Sequence, residues 1–171
     1  MRVAIGSEIS IRREMREGDA DAIVALHERV YCAEWDRNQA FVDAVAANVA
    51  ACRAAGWPER GGGVWLVERE GGELAGSLGL TAEVDGTGRV RWFVFAPEVR
   101  GSGLGRRLLS ELLDAARAAR MARLELETFS DLRAAGHLYR SAGFEVISSV
   151  QRDDWGPPIT YQHYRLDGRT I

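Results

Sequence analysis

Lysine is missing altogether: every one of the 22 basic residues is arginine. A Walker A phosphate loop, which must end in Gly-Lys-[Ser/Thr], is therefore excluded. Cysteine is nearly missing too. Cys32 and Cys52 form no CxxC pair, so no disulfide framework is expected and a reducing, cytoplasmic setting follows. Both read as small apolar residues on helices. The three histidines show neither HxxxH nor HxH spacing, and no metal is expected. No stretch reaches the roughly 18 apolar residues of a membrane span, and charges break residues 1–15 too early for a signal peptide. Nor is positive charge in excess. A net charge of −3 argues against nucleic acid as a partner.

What is present is a soluble, globular composition, 46% hydrophobic and 27% charged, on a chain that fits one domain over residues 1–171. Its charge is uneven. Between Val99 and Arg123 six arginines stand against Glu111 and Asp114, which points to one anionic ligand in an otherwise acidic protein.

Residues 9–15 open with strand alternation. A helix follows with Ile23, Leu26, His27, Val30 and Tyr31 on one stripe and Asp19 as its N-cap, then a second helix capped by Asp36 and carrying Phe41, Val42, Val45 and Val49. Two strands around Gly71-Gly72 form a hairpin. The next strand holds an unbroken apolar run, 92–96, expected to be covered on both faces, and Pro97 stops it. A strongly patterned helix runs from 103 to 119. In the strand 123–128, Leu124, Leu126 and Thr128 are expected to face one way and Glu125 and Glu127 the other. A short helix over 131–141 closes at Gly143, and two last strands flank the loop 152–159. The sum is an α+β fold: a mixed, mostly antiparallel central sheet of about seven strands with helices on both faces.

The turn between the apolar strand and the patterned helix, "RGSGLG", carries Gly101, Gly103 and Gly105 among Arg100, Arg106 and Arg107. Bare backbone, unpaired N–H groups and the helix dipole make a phosphate cradle. Alone, such a turn could equally bind nothing. A dinucleotide fingerprint counted from Gly101 would need glycine where the chain has Arg106.

Arg100-Gly101-Ser102-Gly103-Leu104-Gly105 resembles the [RQ]-x-x-G-x-[GA] pyrophosphate loop of the GNAT acyltransferases. The preceding "VFAP" looks like that family's acyl-CoA-binding strand end, and "LYRSAGF" (138–144) is similar to its LYxxxGF segment. Within the family, "GELAGSLGL" and "YCAEWDRNQAFVDAVA" resemble the acetyltransferase module often fused to MarR-type regulators.

The resemblance implies acetyl-CoA as co-substrate and a small-molecule or peptide amine as acceptor. It further implies direct attack through a tetrahedral intermediate, with the pyrophosphate on residues 100–106 and the pantetheine arm along Phe93 and Phe95. The Phe95 amide would hold the oxyanion, and Tyr139 would protonate the leaving thiolate. Glu127 is the first candidate for general base and Glu34 and Asp36 the second, while a water chain with no dedicated base stays open. Tyr31, Glu34, Trp35, Asp154 and Trp155 are expected to form an aromatic, negatively charged acceptor pocket. Leu132 stands where many members have asparagine, so that contact to the pantetheine region is either missing or supplied by Ser130 or Asp131. A homodimer is compatible with this fold. A non-catalytic sensor of acyl-CoA or amines is the alternative function.

Overall fold

The computed structural model describes residues 3–4, 9–169 and 171. Its strands are β1 (Val3–Ala4), β2 (Ile9–Arg12), β3 (Gly62–Arg69), β4 (Leu74–Ala82), β5 (Thr87–Phe95), β6 (Arg123–Phe129), β7 (Glu145–Arg152) and β8 (Ile159–Asp167). All eight join one sheet in the order β1-β2-β3-β4-β5-β6-β8-β7. Only β5 and β6 run parallel; the other pairs are antiparallel. The helices are α1 (Asp19–Trp35), α2 (Gln39–Ala54), α3 (Leu104–Ala118) and α4 (Arg133–Ser141).

The expected mixed, mostly antiparallel sheet is what forms. Seven strands have four or more residues and the eighth has two. Leu108, Leu112 and Ala116 of α3 pack fully buried against Trp65, Leu66 and Leu124 of the sheet. That is the apolar stripe removing its area from water.

Both helix caps differ from expectation. Gly18, at φ 85°, caps α1. The Asp19 carboxylate instead accepts from both Arg12 terminal nitrogens, at 2.6 and 2.8 Å, and from the Arg16 amide at 2.5 Å. Burial alone would raise its pKa, but these bonds hold it below the usual carboxylate value. Asp36 ends α1 in a left-handed conformation rather than starting α2. Asn38 caps α2, its side chain accepting from the Phe41 amide at 3.2 Å. Asn38 lies two residues beyond the expected Asp36, and its extended backbone suits it to the role.

Glu125 also departs from expectation. It is 4% exposed, because Arg123 (3.0 Å), Arg165 (3.0 Å), His163 (3.0 Å) and Arg89 (3.5 Å) converge on its carboxylate. Those bonds outweigh burial and keep it ionised. Cys32 and Cys52 are free and half-buried rather than core residues.

The feature that positions the site is a gap in the sheet. β5 and β6 pair only over Thr87–Arg89 and Arg123–Glu125, and beyond that they diverge. On β5 a bulge lies opposite Leu78, between the pairs Gly79–Arg91 and Ser77–Val94. Trp92 takes φ 49° there, and the Ser77 hydroxyl donates to its carbonyl at 2.6 Å. Ala96 donates to the Ala75 carbonyl at 2.8 Å. Since antiparallel strands alternate their bonding direction, Phe93 and Phe95 turn their amides away from β4 and into the gap.

Candidate active site

Two cavities flank the diverging strands. The first, about 480 Å³, is lined by Phe93–Phe95 of β5, by Arg100, Gly101, Leu104 and Gly105 at the start of α3, and by Leu132–Ala135 and Leu138. The second, about 330 Å³, lies between α1, α2 and the β6–β8 end of the sheet. Aromatic rings of Phe41, Phe129, Trp155 and Tyr161 wall it, and Asn48, Arg89, Arg91 and Glu127 supply its polar groups. Tyr31, Phe93 and Tyr139 line both. A molecule in one cavity can therefore meet a molecule in the other only at these three residues.

At the first cavity, Gly103 caps α3 with φ 81°, no side chain caps the helix, and its first turn holds no acidic residue. Gly101 has φ 73°. A Cβ at either glycine would meet nothing within 4 Å, so it is the backbone conformation that demands glycine there. Gly105 is different: its Cβ would sit 3.5 Å from Leu138 and 3.6 Å from Phe95, in ordinary contact. Arg106 is exposed on the first turn. The Ser102 hydroxyl donates to the Val99 carbonyl at 2.8 Å. Uncapped N–H groups, a favourable dipole and a nearby guanidinium fit a diphosphate well.

The match of residues 27–144 to the profile of the acetyltransferase (GNAT) family decides what kind of site this is. The chain belongs to the GNAT acetyltransferase family. Over 169 residues it is 31% identical to the L-amino acid N-acyltransferase MnaT of Escherichia coli, covering 92% of this chain and 95% of that protein. It is 40% identical over 107 residues to the N-alpha-acetyltransferase RimI of Mycobacterium tuberculosis, spanning 57% of that protein. The chain covers between 56% and 58% of the first three curated relatives it matches. Among solved structures, yncA from Salmonella typhimurium with its cofactor acetyl-CoA superposes with a TM-score of 0.67. The two share 24% identity over 94% of each chain. The GNAT acetyltransferase of Streptococcus pneumoniae gives 0.69 at 23% identity, covering 94% of this chain and 99% of that one.

In this GNAT chain Phe93, Phe95, Arg100, Gly101, Leu104 and Gly105, of the residues expected around the cofactor, line the first cavity, while Ser102, Gly103 and Arg106 do not. The expected acceptor residues do not stay together. Tyr31 and Trp155 line the second cavity, but Trp35 lines the first. Glu34 lines neither: its carboxylate is taken by Arg100, at 2.7 and 2.8 Å. The same Arg100 side chain donates to the Phe95 carbonyl at 3.0 and 2.8 Å. Asp154 is likewise taken by Arg152, at 2.6 Å. The second cavity is thus not the negatively charged box expected for a bare cation, because neither Glu34 nor Asp154 lines it and Arg89 and Arg91 enter its wall beside Glu127. Arg91 donates to the Thr81 hydroxyl at 3.0 Å and the Asn48 carbonyl oxygen at 3.2 Å. Sequence reasoning missed Arg89, Arg91 and Asn48. The alternation that puts 89 and 91 on one face of β5 was visible, but the helix opposite them was not.

The apolar run 92–96 is covered on one face only. Trp92, Val94 and Ala96 are buried, while Phe93 and Phe95 are half-exposed and form the cavity floor. Of Ser130 and Asp131, the two residues considered for the contact that Leu132 cannot make, Asp131 lines the first cavity and Ser130 does not.

Tyr139 is 4% exposed and packs on Phe93 (6.2 Å between centroids), Phe144 (6.0 Å) and Tyr164 (5.7 Å). Burial raises its phenol well above the ordinary value of 10. Burial also pushes Tyr31 up to about 12. Glu127 is exposed and lines the second cavity. Among the described residues, no cluster of histidine, cysteine or carboxylate side chains could hold a metal, and no helix is long and apolar enough to cross a membrane.

His27 borders the second cavity with its Nδ1 2.8 Å from the Ile23 carbonyl. A carbonyl only accepts, so Nδ1 carries the hydrogen and Nε2 keeps its lone pair. Burial pushes the imidazole pKa down to about 4. The unfolded chain then binds a proton that the folded chain refuses between pH 6.5 and 4, so stability is complete above that window and lost as pH falls through it. Urea melts at pH 8 and pH 5 should differ by about 2 kcal/mol from this group. His27→Phe should narrow that difference by the same amount.

Proposed function

We propose that this chain transfers the acetyl group of acetyl-CoA to the amine of a small acceptor that also carries a carboxylate, as an amino acid does. The observation that carries the reading is the second cavity: about 330 Å³, the size of a small-metabolite site rather than a peptide groove, with Arg89, Arg91 and Glu127 on its walls. The relative covering nearly the whole chain is named for L-amino acid N-acylation.

Bound acetyl-CoA would supply the activated acyl carbonyl. Residues 101–106 would hold its diphosphate, and the gap-facing amides of Phe93 and Phe95 would bond the pantetheine arm as a further strand would. Phe93, which touches both cavities and Tyr139, is better placed than Phe95 to donate its N–H to the developing oxyanion. Tyr139, kept protonated by burial, would give a hydrogen bond and then a proton to the departing sulfur. Glu127 would accept the ammonium proton, directly or through water, and Arg91 would pair with the acceptor carboxylate. The narrower resemblance to the module of MarR-type fusions plays no part in this assignment.

Steady-state thiol release with free amino acids, their methyl esters and the matching decarboxylated amines tests the reading. Free amino acids should be preferred by at least about ten-fold, and Arg91→Gln should raise KM for them by a similar factor with kcat little changed. Equal use of the decarboxylated amines would remove the carboxylate subsite. Tight acetyl-CoA binding with no acetylation of any amine would favour the sensor.

A further inference from the structure

The loop between β7 and β8, residues 153–158, carries Trp155 into the wall of the second cavity. The Trp155 ring centre lies 5.6 Å from that of Phe41 and 5.5 Å from that of Tyr161. Among the described residues, three hydrogen bonds tie this loop to another element, and all three come from the turn between α1 and α2. The Asn38 amide donates to the Trp155 carbonyl at 3.1 Å, and the Asn38 side chain to the Asp154 carbonyl at 3.2 Å. The Arg37 guanidinium donates to the Pro157 carbonyl at 3.2 Å. Gly156 permits the approach: at φ 122°, it comes so close that a Cβ would stand 2.5 Å from the Asp36 carbonyl oxygen.

Arg37 is the unusual member of this contact. It is 7% exposed, yet among the described residues no carboxylate pairs with it. Its guanidinium donates to two neutral carbonyls, of Trp35 at 2.6 Å and Pro157 at 3.2 Å. Burying a guanidinium without an anion is costly, so a turn with only a change of direction to make gains nothing from one. What this guanidinium does is bridge the end of α1 to a loop near the other end of the chain. It also lies 5.6 Å from the centre of the Phe129 ring, which meets Trp155 edge-on at 6.4 Å. One planar group therefore holds both the loop and a ring that backs Trp155.

We infer that Arg37 is a positioning residue for the acceptor: it clasps loop 153–158 to the α1–α2 turn and so sets where Trp155 stands in the cavity wall. The inference rests on the reading that the acceptor occupies the second cavity, but not on which amine it is. Opening the clasp takes contacts from the acceptor in the ground state and the transition state alike. KM for the acceptor then rises, while kcat and KM for acetyl-CoA hold.

Steady-state thiol release with the best acceptor of the panel above tests it. Arg37→Met should raise acceptor KM at least about ten-fold, with kcat and acetyl-CoA KM within about two-fold of wild type. Gly156→Ala pushes the loop off the Asp36 carbonyl with Arg37 still in place, and should do the same. Arg37→Lys should resemble Arg37→Met, because it keeps the charge but not the planar, two-armed grip. Hydrogen exchange reads the clasp without turnover: the Asn38 amide should exchange at least about ten-fold faster in Arg37→Met and Gly156→Ala. Thermal melting shows that each variant folds. Three results overturn the proposal: acceptor KM unchanged in either Arg37→Met or Gly156→Ala, full activity in Arg37→Lys, or Asn38 protection equal to wild type. Should Arg91→Gln raise acceptor KM while the clasp variants do not, the clasp alone fails. Should none of the three raise it, the acceptor lies elsewhere, and the reading of the second cavity falls with the clasp.

Discussion

Gly103→Asp is expected to reduce acetyl-CoA affinity at least about a hundred-fold while the protein stays folded, from two effects that add. Gly103 sits at φ 81°, where a side chain costs roughly 1–2 kcal/mol and biases the loop away from its observed shape. The new carboxylate would also stand at the uncapped start of α3, against a ligand that brings its own negative charges. It would satisfy the free N–H groups as an N-cap, which stabilises the helix and fills the anion site at once. Calorimetry with acetyl-CoA measures the loss, and thermal melting shows the fold. Gly105→Ala is the matched control. Its Cβ makes only ordinary contacts, so affinity should change by no more than a few-fold. Equal binding by wild type and Gly103→Asp would mean that the α3 start does not hold the diphosphate.

Tyr139→Phe should lower kcat by about a hundred-fold or more and leave acetyl-CoA binding within a few-fold of wild type. The substitution removes one oxygen and keeps the ring against Phe93, Phe144 and Tyr164, so packing is retained. Because burial holds the phenol above its ordinary value, the wild-type rate should show no loss from this group up to pH 10. A Tyr139→Phe enzyme with unchanged turnover would pass the proton-donor role to Tyr31, the other phenol at the junction of the cavities.

The sheet, the order of its elements and the glycine turn could be read from the chain because each depends on near neighbours. Alternation marks β2, the Gly71-Gly72 turn marks the hairpin of β3 and β4, helical spacing marks α3, and Gly103 with Gly101 marks the turn between β5 and α3. The lining of the second cavity was hidden for the opposite reason. Glu34 and Trp35 lie close to Tyr31 in sequence, yet only Tyr31 reaches the second cavity, because α1 ends at Trp35 and Arg100 arrives from 66 positions away to claim Glu34. Arg89, Arg91 and Asn48 come from elements that meet only in the folded chain. Glu125 shows the same limit: period-two reasoning gave it a solvent-facing side, but three arginines and His163, from three strands, bury it.

The three residue pairs that join β5 to β6 leave the sheet resembling a pair of scissors, riveted at one end with its blades parted. Five strands lie on one blade and three on the other. A ligand that offered its own amides to the open edge of β5 would continue the ladder that the two strands abandon, so the framework left incomplete in the protein would be finished by what it holds.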